Sequence, residues 1–197
     1  RGVQYFEKIG YRTIVGENVG QYRGYLAGED DGRLSDLHKM FANKEVKGIF
    51  AVRGGYGSPR LLDRINFNLI KRNPKVFVGY SDITALHLAF FQKAGLITFA
   101  GPMVAVDFHN DVSRFTEEIF WRMVTSDKKI GRLPVPEEEK MFTLIKGSCE
   151  GRLVGGNLAL VLSLAGTEYL PSFKDKILFL EDIGENPYRI DRMLNQL

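Results

Sequence analysis

Apolar and polar positions in the first 100 residues switch repeatedly between a helix-like and a strand-like period. Leu34, Leu37 and Phe41 recur at the spacing of one helix face, and the segment that follows them is rich in β-branched residues, which strands favour. Helices that alternate with strands predict βαβ crossovers, and therefore a mostly parallel sheet with helices on both faces. The predicted elements are, in order, a helix over 1–9 closed by Gly10, a strand over Tyr11–Val15, the helix through Leu34, strands over Val46–Val52 and Lys75–Gly79, a helix over Asp82–Ala94 stopped by Gly95, and a strand over Leu96–Phe99.

The pattern changes near residue 130. Residues 128–146 are polar, contain two prolines and include the acidic run Glu137–Glu139, a composition typical of a linker. A glycine cluster follows, and then an apolar helix over Asn157–Leu164, a strand over Lys176–Glu181 and a helix that begins at Asn186 and Pro187. We therefore expect three units, with boundaries at 1–130, 131–147 and 148–197.

Composition narrows the class of protein. The chain has 197 residues, of which 44% are apolar and 26% charged, values typical of a globular protein and not of a disordered or collagen-like chain. The 27 Lys and Arg residues exceed the 24 Asp and Glu residues by only three, so neither nucleic acid nor a membrane surface is an expected partner. The longest apolar run, Leu158–Ala165, is far shorter than the ~20 residues of a membrane-spanning helix. A single cysteine, Cys149, forms no disulfide within the chain, which fits the reducing cytoplasm.

The first motif with chemical meaning is Arg53–Gly57, which reads Arg-Gly-Gly-Tyr-Gly and follows a predicted strand directly. Glycines at the carboxyl end of a parallel strand allow a tight turn and bring bare N–H groups close to a ligand, where they bind an anion or a developing oxyanion. The spacing matches neither a dinucleotide fingerprint nor a phosphate loop. An ordinary turn is the alternative interpretation.

The second motif is Gly79–Asp82, which reads Gly-Tyr-Ser-Asp and again leads from an apolar strand into a helix. A serine at such a junction is held on a sharp turn with its hydroxyl exposed, while the N–H of the next residue points into the same space. This geometry is that of a nucleophile elbow. The alternative is that Ser81 or Asp82 caps the helix.

The third motif is the end of the strand at Glu181. Ile177, Phe179 and Glu181 share one strand face, so Glu181 is an acid at the tip of an apolar row and is suited to orienting a histidine. For Asp182 and Glu185 we expect a solvated loop acid or a favourable charge near the next helix N-terminus.

Together these motifs resemble the LD-carboxypeptidases, a family of serine peptidases. The resemblance consists of five blocks that follow one another in order across nearly the whole chain. This makes it more specific than any single motif. Its blocks are Ala51–Leu62, Gly79–Leu86, Gly101–Met103, Leu153–Leu158, and Phe179–Asp182 with Tyr188–Leu194.

The resemblance implies a metal-free and cofactor-free reaction. Ser81 would be the nucleophile and Glu181 the acid of a Ser-Glu-His triad, while the N–H groups of Gly54, Gly55 and Asp82 would form the oxyanion hole. The implied substrate is a small peptidoglycan-derived peptide, cut between an L-diamino acid and a C-terminal D-alanine. The implied fold is a flavodoxin-like or Rossmann-like N-terminal domain, followed by the start of a swivelling-type α/β domain, in an enzyme that is a candidate homodimer.

The triad histidine is the departure from the family pattern. The family places it downstream of the acid, and no histidine follows Glu181 here. His87 lies six residues after Ser81 on the same predicted helix and is therefore rotated away from it, which favours a packing role. His38 lies on a predicted helix and His109 in a loop. We expect the chain to be truncated at both ends relative to the family, with the histidine beyond Leu197.

Two other functions remain open from the sequence. The first is a microcin-immunity type of serine peptidase that cleaves aminoacyl-nucleotide conjugates. The motifs do not separate it from the carboxypeptidase, because such enzymes differ in their specificity loops. The second is a non-catalytic protein that binds a small anionic ligand at the glycine turn and helix N-terminus.

Overall fold

A computed structural model of the chain describes residues 1–109, 112–136 and 139–197. Its strands are short and its helices modest in length, in the alternating order that the periodicity predicts. The helices are α1 (Gly2–Lys8), α2 (Asp30–Ala42), α3 (Phe67–Arg72), α4 (Thr84–Ala94), α5 (Arg114–Thr125), α6 (Leu158–Ser163) and α7 (Pro187–Gln196). The strands are β1 (Gly48–Phe50), β2 (Val76–Gly79), β3 (Phe99–Ala100), β4 (Arg152–Asn157) and β5 (Lys176–Glu181). Single 3₁₀ segments cover Pro59–Arg64 and Ser81–Ile83.

Both sheets are parallel. The first has the order β1-β2-β3, with Ile49 opposite Phe77 and Val78 opposite Phe99. The second pairs β4 with β5, so that Asn157 lies opposite Glu181. The predicted α/β class with parallel strands is confirmed. The carboxyl end of the first sheet carries two of the motifs described above, and that of the second sheet carries the third.

The main apolar core contains residues from both halves of the chain. Phe41, Phe77 and Phe90 pack in one cluster with Val161 and Leu164, which belong to and follow α6. Burial of this aromatic and aliphatic area stabilises the fold by the removal of apolar surface from water. The segment after residue 150 is therefore joined to the first sheet by a continuous core.

Two predicted strands differ from the structure. Residues Tyr11–Val15 form no strand, because the segment runs along the surface with Ile14 and Val15 about half exposed and pairs with no strand in the described chain. The strand predicted over Leu96–Phe99 is only Phe99–Ala100, and Ile97 is 70% exposed. β-Branched and aromatic side chains favour extended backbone, but a ladder partner decides whether a strand forms.

The predicted linker is exposed along most of its described length. Phe142 and Leu144 have exposed fractions of 84% and 96%, while Glu137 and Glu138 lie outside the described residues. The proposed domain boundaries remain predictions. No helix in the described ranges is long and apolar enough to cross a membrane.

Candidate active site

The turn after β2 holds Ser81 in a left-handed backbone conformation. Its φ is +62°, and Asp175 is the only other non-glycine residue with a positive φ in the described part of the chain. The left-handed region costs an L-residue roughly 1–2 kcal/mol and persists only where the surroundings enforce it. The Ser81 hydroxyl, which is partly exposed, has no hydrogen-bond partner among the described residues. The turn therefore has the strained backbone and the free hydroxyl of a nucleophile elbow.

Asp82 is buried and joins this turn to the glycine loop, which is the segment Arg53–Gly57 with Ser58 directly after it. Its exposed fraction is 5%, and its Oδ2 accepts a hydrogen bond from the Ser58 N–H at 2.9 Å. Neither the 3₁₀ segment nor α4 has a side-chain cap. The helix-capping interpretation of Ser81 and Asp82 is therefore wrong, because the Asp82 carboxylate serves a loop that lies 24 residues earlier in the chain.

The glycine loop lies directly against Ser81. A Cβ atom at Gly54 would lie 3.0 Å from the Ser81 Cβ and 3.1 Å from its Oγ, so only glycine allows this close approach without displacement. Gly55 and Gly57 have φ values of +112° and +105°, which also favour glycine. The loop thus presents backbone groups beside the candidate nucleophile.

Glu181 ends β5 opposite Asn157 and is partly buried. Burial raises the pKa of its carboxyl above the ordinary glutamate value, the hydrogen bond from Asn157 acts in the opposite direction, and the neighbouring charge of Asp182 adds to the rise. Burial thus favours the neutral form of the Glu181 carboxyl, and the side chain of Asn157 is the partner that favours its charged form.

Thr84 and Asn157 connect the two halves of the site. The Thr84 Oγ1, three residues after Ser81, accepts a hydrogen bond from the Asn157 N–H at 3.0 Å. Gly156 allows this contact, because a Cβ atom there would lie 2.6 Å from the same Oγ1. The negative charge of Glu181 also contributes to raising the pKa of Tyr80, after burial and the contacts with Asp107. The fold therefore brings the end of β5 into the electrostatic range of the turn that carries Ser81.

Sequence reasoning missed both connecting residues as site components. Asn157 is only the first residue of a predicted helix, and Thr84 lies without a role inside the helix predicted over Asp82–Ala94. The available signal was the Gly-Gly-Asn run at the end of β4, which stands at the carboxyl edge of a parallel strand like the other motifs.

The acids after Glu181 differ from expectation in one case. Asp182 is partly buried and serves the preceding helix and not the next one, because its Oδ2 accepts from the Ala159 N–H in the first turn of α6 at 3.1 Å. This bond satisfies a free amide at the helix N-terminus. Glu185 pairs with Arg189 in the first turn of α7 at 2.9 Å, as a charge near that helix N-terminus should.

The three histidines have separate environments. His87 is buried in α4 with its Nε2 2.8 Å from the Gly79 carbonyl oxygen, which confirms the predicted packing role. The Nε2 of His38 accepts from the Asn66 N–H at 3.0 Å. His109 is exposed and makes no hydrogen bond or ion pair with the described residues. Within those same ranges, no three His, Cys, Asp or Glu side chains are grouped as a metal site would require.

Comparison with known proteins covers both halves of the chain. Residues 1–101 match the LD-carboxypeptidase N-terminal domain, and residues 150–197 match the LD-carboxypeptidase C-terminal domain. A probable murein peptide carboxypeptidase of Bacillus subtilis (strain 168) is 44% identical over 195 residues, which are 98% of this chain and 60% of that protein. The chain thus spans about three fifths of the length of such relatives.

Two solved structures extend the comparison. The muramoyltetrapeptide carboxypeptidase from Oxalobacter formigenes is 36% identical with a TM-score of 0.84, over 100% of this chain and 65% of that one. The microcin C7 self immunity protein MccF, solved in complex with aspartyl sulfamoyl adenosine, is 28% identical with a TM-score of 0.86, over 100% of this chain and 66% of that one.

Proposed function

The chain belongs to the LD-carboxypeptidase family, and we propose that the whole protein is a serine carboxypeptidase. It would hydrolyse the amide bond between an L-diamino acid and the C-terminal D-alanine of a peptidoglycan-derived tetrapeptide. The observation that carries the proposal is the left-handed Ser81 with Gly54 against its side chain, because an ordinary turn needs neither the strained backbone nor the bare hydroxyl.

The proposed reaction assigns one task to each part of the site. The Ser81 hydroxyl attacks the amide carbonyl after a histidine has taken its proton, and the same histidine returns the proton to the leaving D-alanine amine. The N–H groups of Gly54, Gly55 and Asp82 stabilise the oxyanion that forms. Glu181 orients the histidine and stabilises its charged form, which requires the Ser81 and Glu181 side chains to lie one imidazole ring apart.

The base in this proposal is a histidine outside the 197 residues. His87 and His38 are engaged in other hydrogen bonds, and the resemblance assigns the base to a segment downstream of the acid. Ser81 without a base retains only the rate that binding and the oxyanion hole supply. The 197 residues alone should therefore release D-alanine about 10⁴- to 10⁶-fold more slowly than the whole protein.

The experiment is to compare the whole protein with its Ser81→Ala and Ser148→Ala variants. We expect a fluorophosphonate to label the wild type and Ser148→Ala but not Ser81→Ala, and D-alanine release from an L-diaminoacyl-D-alanine peptide to follow the same order. Ser148 is the control because it is exposed and makes no hydrogen bond within the described chain. Full turnover that survives Ser81→Ala would contradict the mechanism.

A second candidate is cleavage of aminoacyl-nucleotide conjugates. The MccF structure holds an aminoacyl sulfamoyl adenosine, and that protein shares the fold at 28% identity. The 44% identity to the murein peptide carboxypeptidase favours the tetrapeptide. Parallel assays with a tetrapeptide and an aspartyl sulfamoyl adenosine would show which of the two substrates the enzyme cleaves. Ser81→Ala is the control, because both reactions need Ser81.

We propose further that the enzyme acts in the cytoplasm as a homodimer on a free muropeptide. The nearly balanced charge and the single cysteine support a small-peptide substrate in a reducing compartment. Sedimentation of the whole protein at micromolar concentration tests whether it is a homodimer. Fractionation of the cells that make it tests whether it lies in the cytoplasm.

A further inference from the structure

His87 is a buried residue for which the proposed reaction has no use. Its exposed fraction is 8%, and burial lowers its pKa to about 4, with the hydrogen bond to the Gly79 carbonyl offsetting part of the shift. The imidazole is therefore neutral at neutral pH.

The contact with Gly79 determines which ring nitrogen carries the proton. A carbonyl oxygen only accepts, so the neutral ring donates from Nε2 over the 2.8 Å to Gly79 and leaves Nδ1 as a bare acceptor. Nδ1 is enclosed and meets no donor in the described part of the chain. An unpaired buried acceptor costs roughly 1–3 kcal/mol, which an apolar side chain at this position would avoid. Stability alone thus gives no reason for a histidine here.

The Gly79 carbonyl is the last backbone group of β2 before the turn. It accepts a second hydrogen bond, from the Gly101 N–H at 3.2 Å, which ties it to the segment after β3. A Cβ atom at Gly79 would lie 3.0 Å from side-chain atoms of Ala51 and Ile83, so the backbone is also closely packed on its other side. The peptide plane that leads into Tyr80 is therefore fixed by hydrogen bonds and by packing.

We propose that His87 is a positioning residue for Ser81: its Nε2–H fixes the peptide from which the strained turn begins. Two residues later Ser81 adopts its φ of +62°, which a free chain would not retain. The Asp82 bond to Ser58 restrains the turn from the far side. The inference rests on the proposed role of Ser81 as the nucleophile.

The test uses His87→Leu, which removes the donor, and His87→Gln, whose amide N–H can replace Nε2–H. We measure the rate of fluorophosphonate labelling and the kcat and KM for D-alanine release with the whole protein, at a temperature where every variant is folded. His87→Leu should lower the labelling rate and kcat about 10- to 100-fold with KM nearly unchanged, because a displaced nucleophile loses reactivity and not substrate binding. His87→Gln should recover most of that loss.

His38→Leu is the matched control. It also removes an imidazole Nε2 hydrogen bond, here one that a half-buried ring accepts from the Asn66 N–H before α3, so it should lower the unfolding temperature without changing the labelling rate. Wild-type labelling by a His87→Leu variant, or a loss that Gln does not restore, would overturn the positioning role. Absence of labelling in the wild type would instead defeat the proposed function of Ser81.

Discussion

The two halves of the candidate site differ in how much of the molecule encloses them. Asp82, Ile83 and Thr84 are buried, and the helix behind Ser81 remains buried as far as Phe90. Glu181, in contrast, ends a strand with one sheet neighbour in the described chain, and Phe179 two residues earlier is 47% exposed. The nucleophile is positioned by tertiary contacts on several sides, whereas the acid depends on one strand pairing and one amide. A single substitution should therefore displace Glu181 more easily than it displaces Ser81.

The largest effect should come from Glu181→Gln, which retains the shape of the acid and removes its charge. We expect kcat of the whole protein to fall about 10³- to 10⁴-fold, because a neutral amide neither selects the correct histidine tautomer nor stabilises the imidazolium. Glu185→Gln is the control, since that carboxylate pairs with Arg189 at the start of α7. A Glu181→Gln enzyme with near-normal kcat would remove this residue from the triad.

The same variant should have a pH signature in stability. Burial raises the pKa of Glu181, so the folded state holds this proton more tightly than the unfolded state. The carboxyl therefore contributes a decrease in the free energy of unfolding as pH rises through its folded pKa. Urea titrations at about pH 3.5 and about pH 7 should show Glu181→Gln gaining stability relative to the wild type at the higher pH, where Glu181 is ionised.

Local sequence patterns predicted the features that local chemistry decides. The strand Lys176–Glu181 has the predicted bounds, and Gly95 ends α4 in the left-handed conformation with a φ of +68°. The turn at Ser81 was also accessible, because Gly-x-Ser between a strand and a helix has a geometric meaning. These elements need no knowledge of distant residues.

The features that sequence reasoning missed depend on residues far apart in the chain. The Thr84 contact with Asn157 spans 73 positions, and the Asp82 contact with Ser58 spans 24. No periodicity encodes either partner. The strand predicted at Tyr11–Val15 failed for a related reason, since its propensity was correct for a strand but no ladder partner is present in the described chain.

The next effect in size should come from Gly155→Ala in β4. Gly155 has a φ of +137°, and a Cβ atom there would overlap the Phe179 carbonyl oxygen of β5. The backbone cannot move away without breaking the β4–β5 pairing that positions Glu181. We expect a loss of about 3 kcal/mol in the free energy of unfolding, measured by urea titration.

Gly147→Ala is the matched control for this prediction. Nothing lies within 4 Å of a Cβ atom at Gly147, so its substitution should change stability by less than about 0.5 kcal/mol. Equal effects at the two glycines would mean that the pairing of the second sheet is not what limits stability in the acid half.

The smallest effect should come from Asp82→Asn, which tests the enclosed half. The Asp82 carboxylate accepts from the Ser58 N–H at 2.9 Å in a buried setting, and the asparagine carbonyl keeps an acceptor in the same place without the charge. The loss should therefore be the difference between a charge-assisted and a neutral hydrogen bond, about 1 kcal/mol in unfolding free energy. Asp127→Asn, at an exposed position with no hydrogen bond in the described chain, should change nothing measurable. Because several contacts restrain the Ser81 turn, the fluorophosphonate labelling rate of Asp82→Asn should fall only a few-fold. A loss as large as that of Glu181→Gln would mean that a single bond holds the glycine loop against Ser81, and the contrast between the two halves would then be wrong.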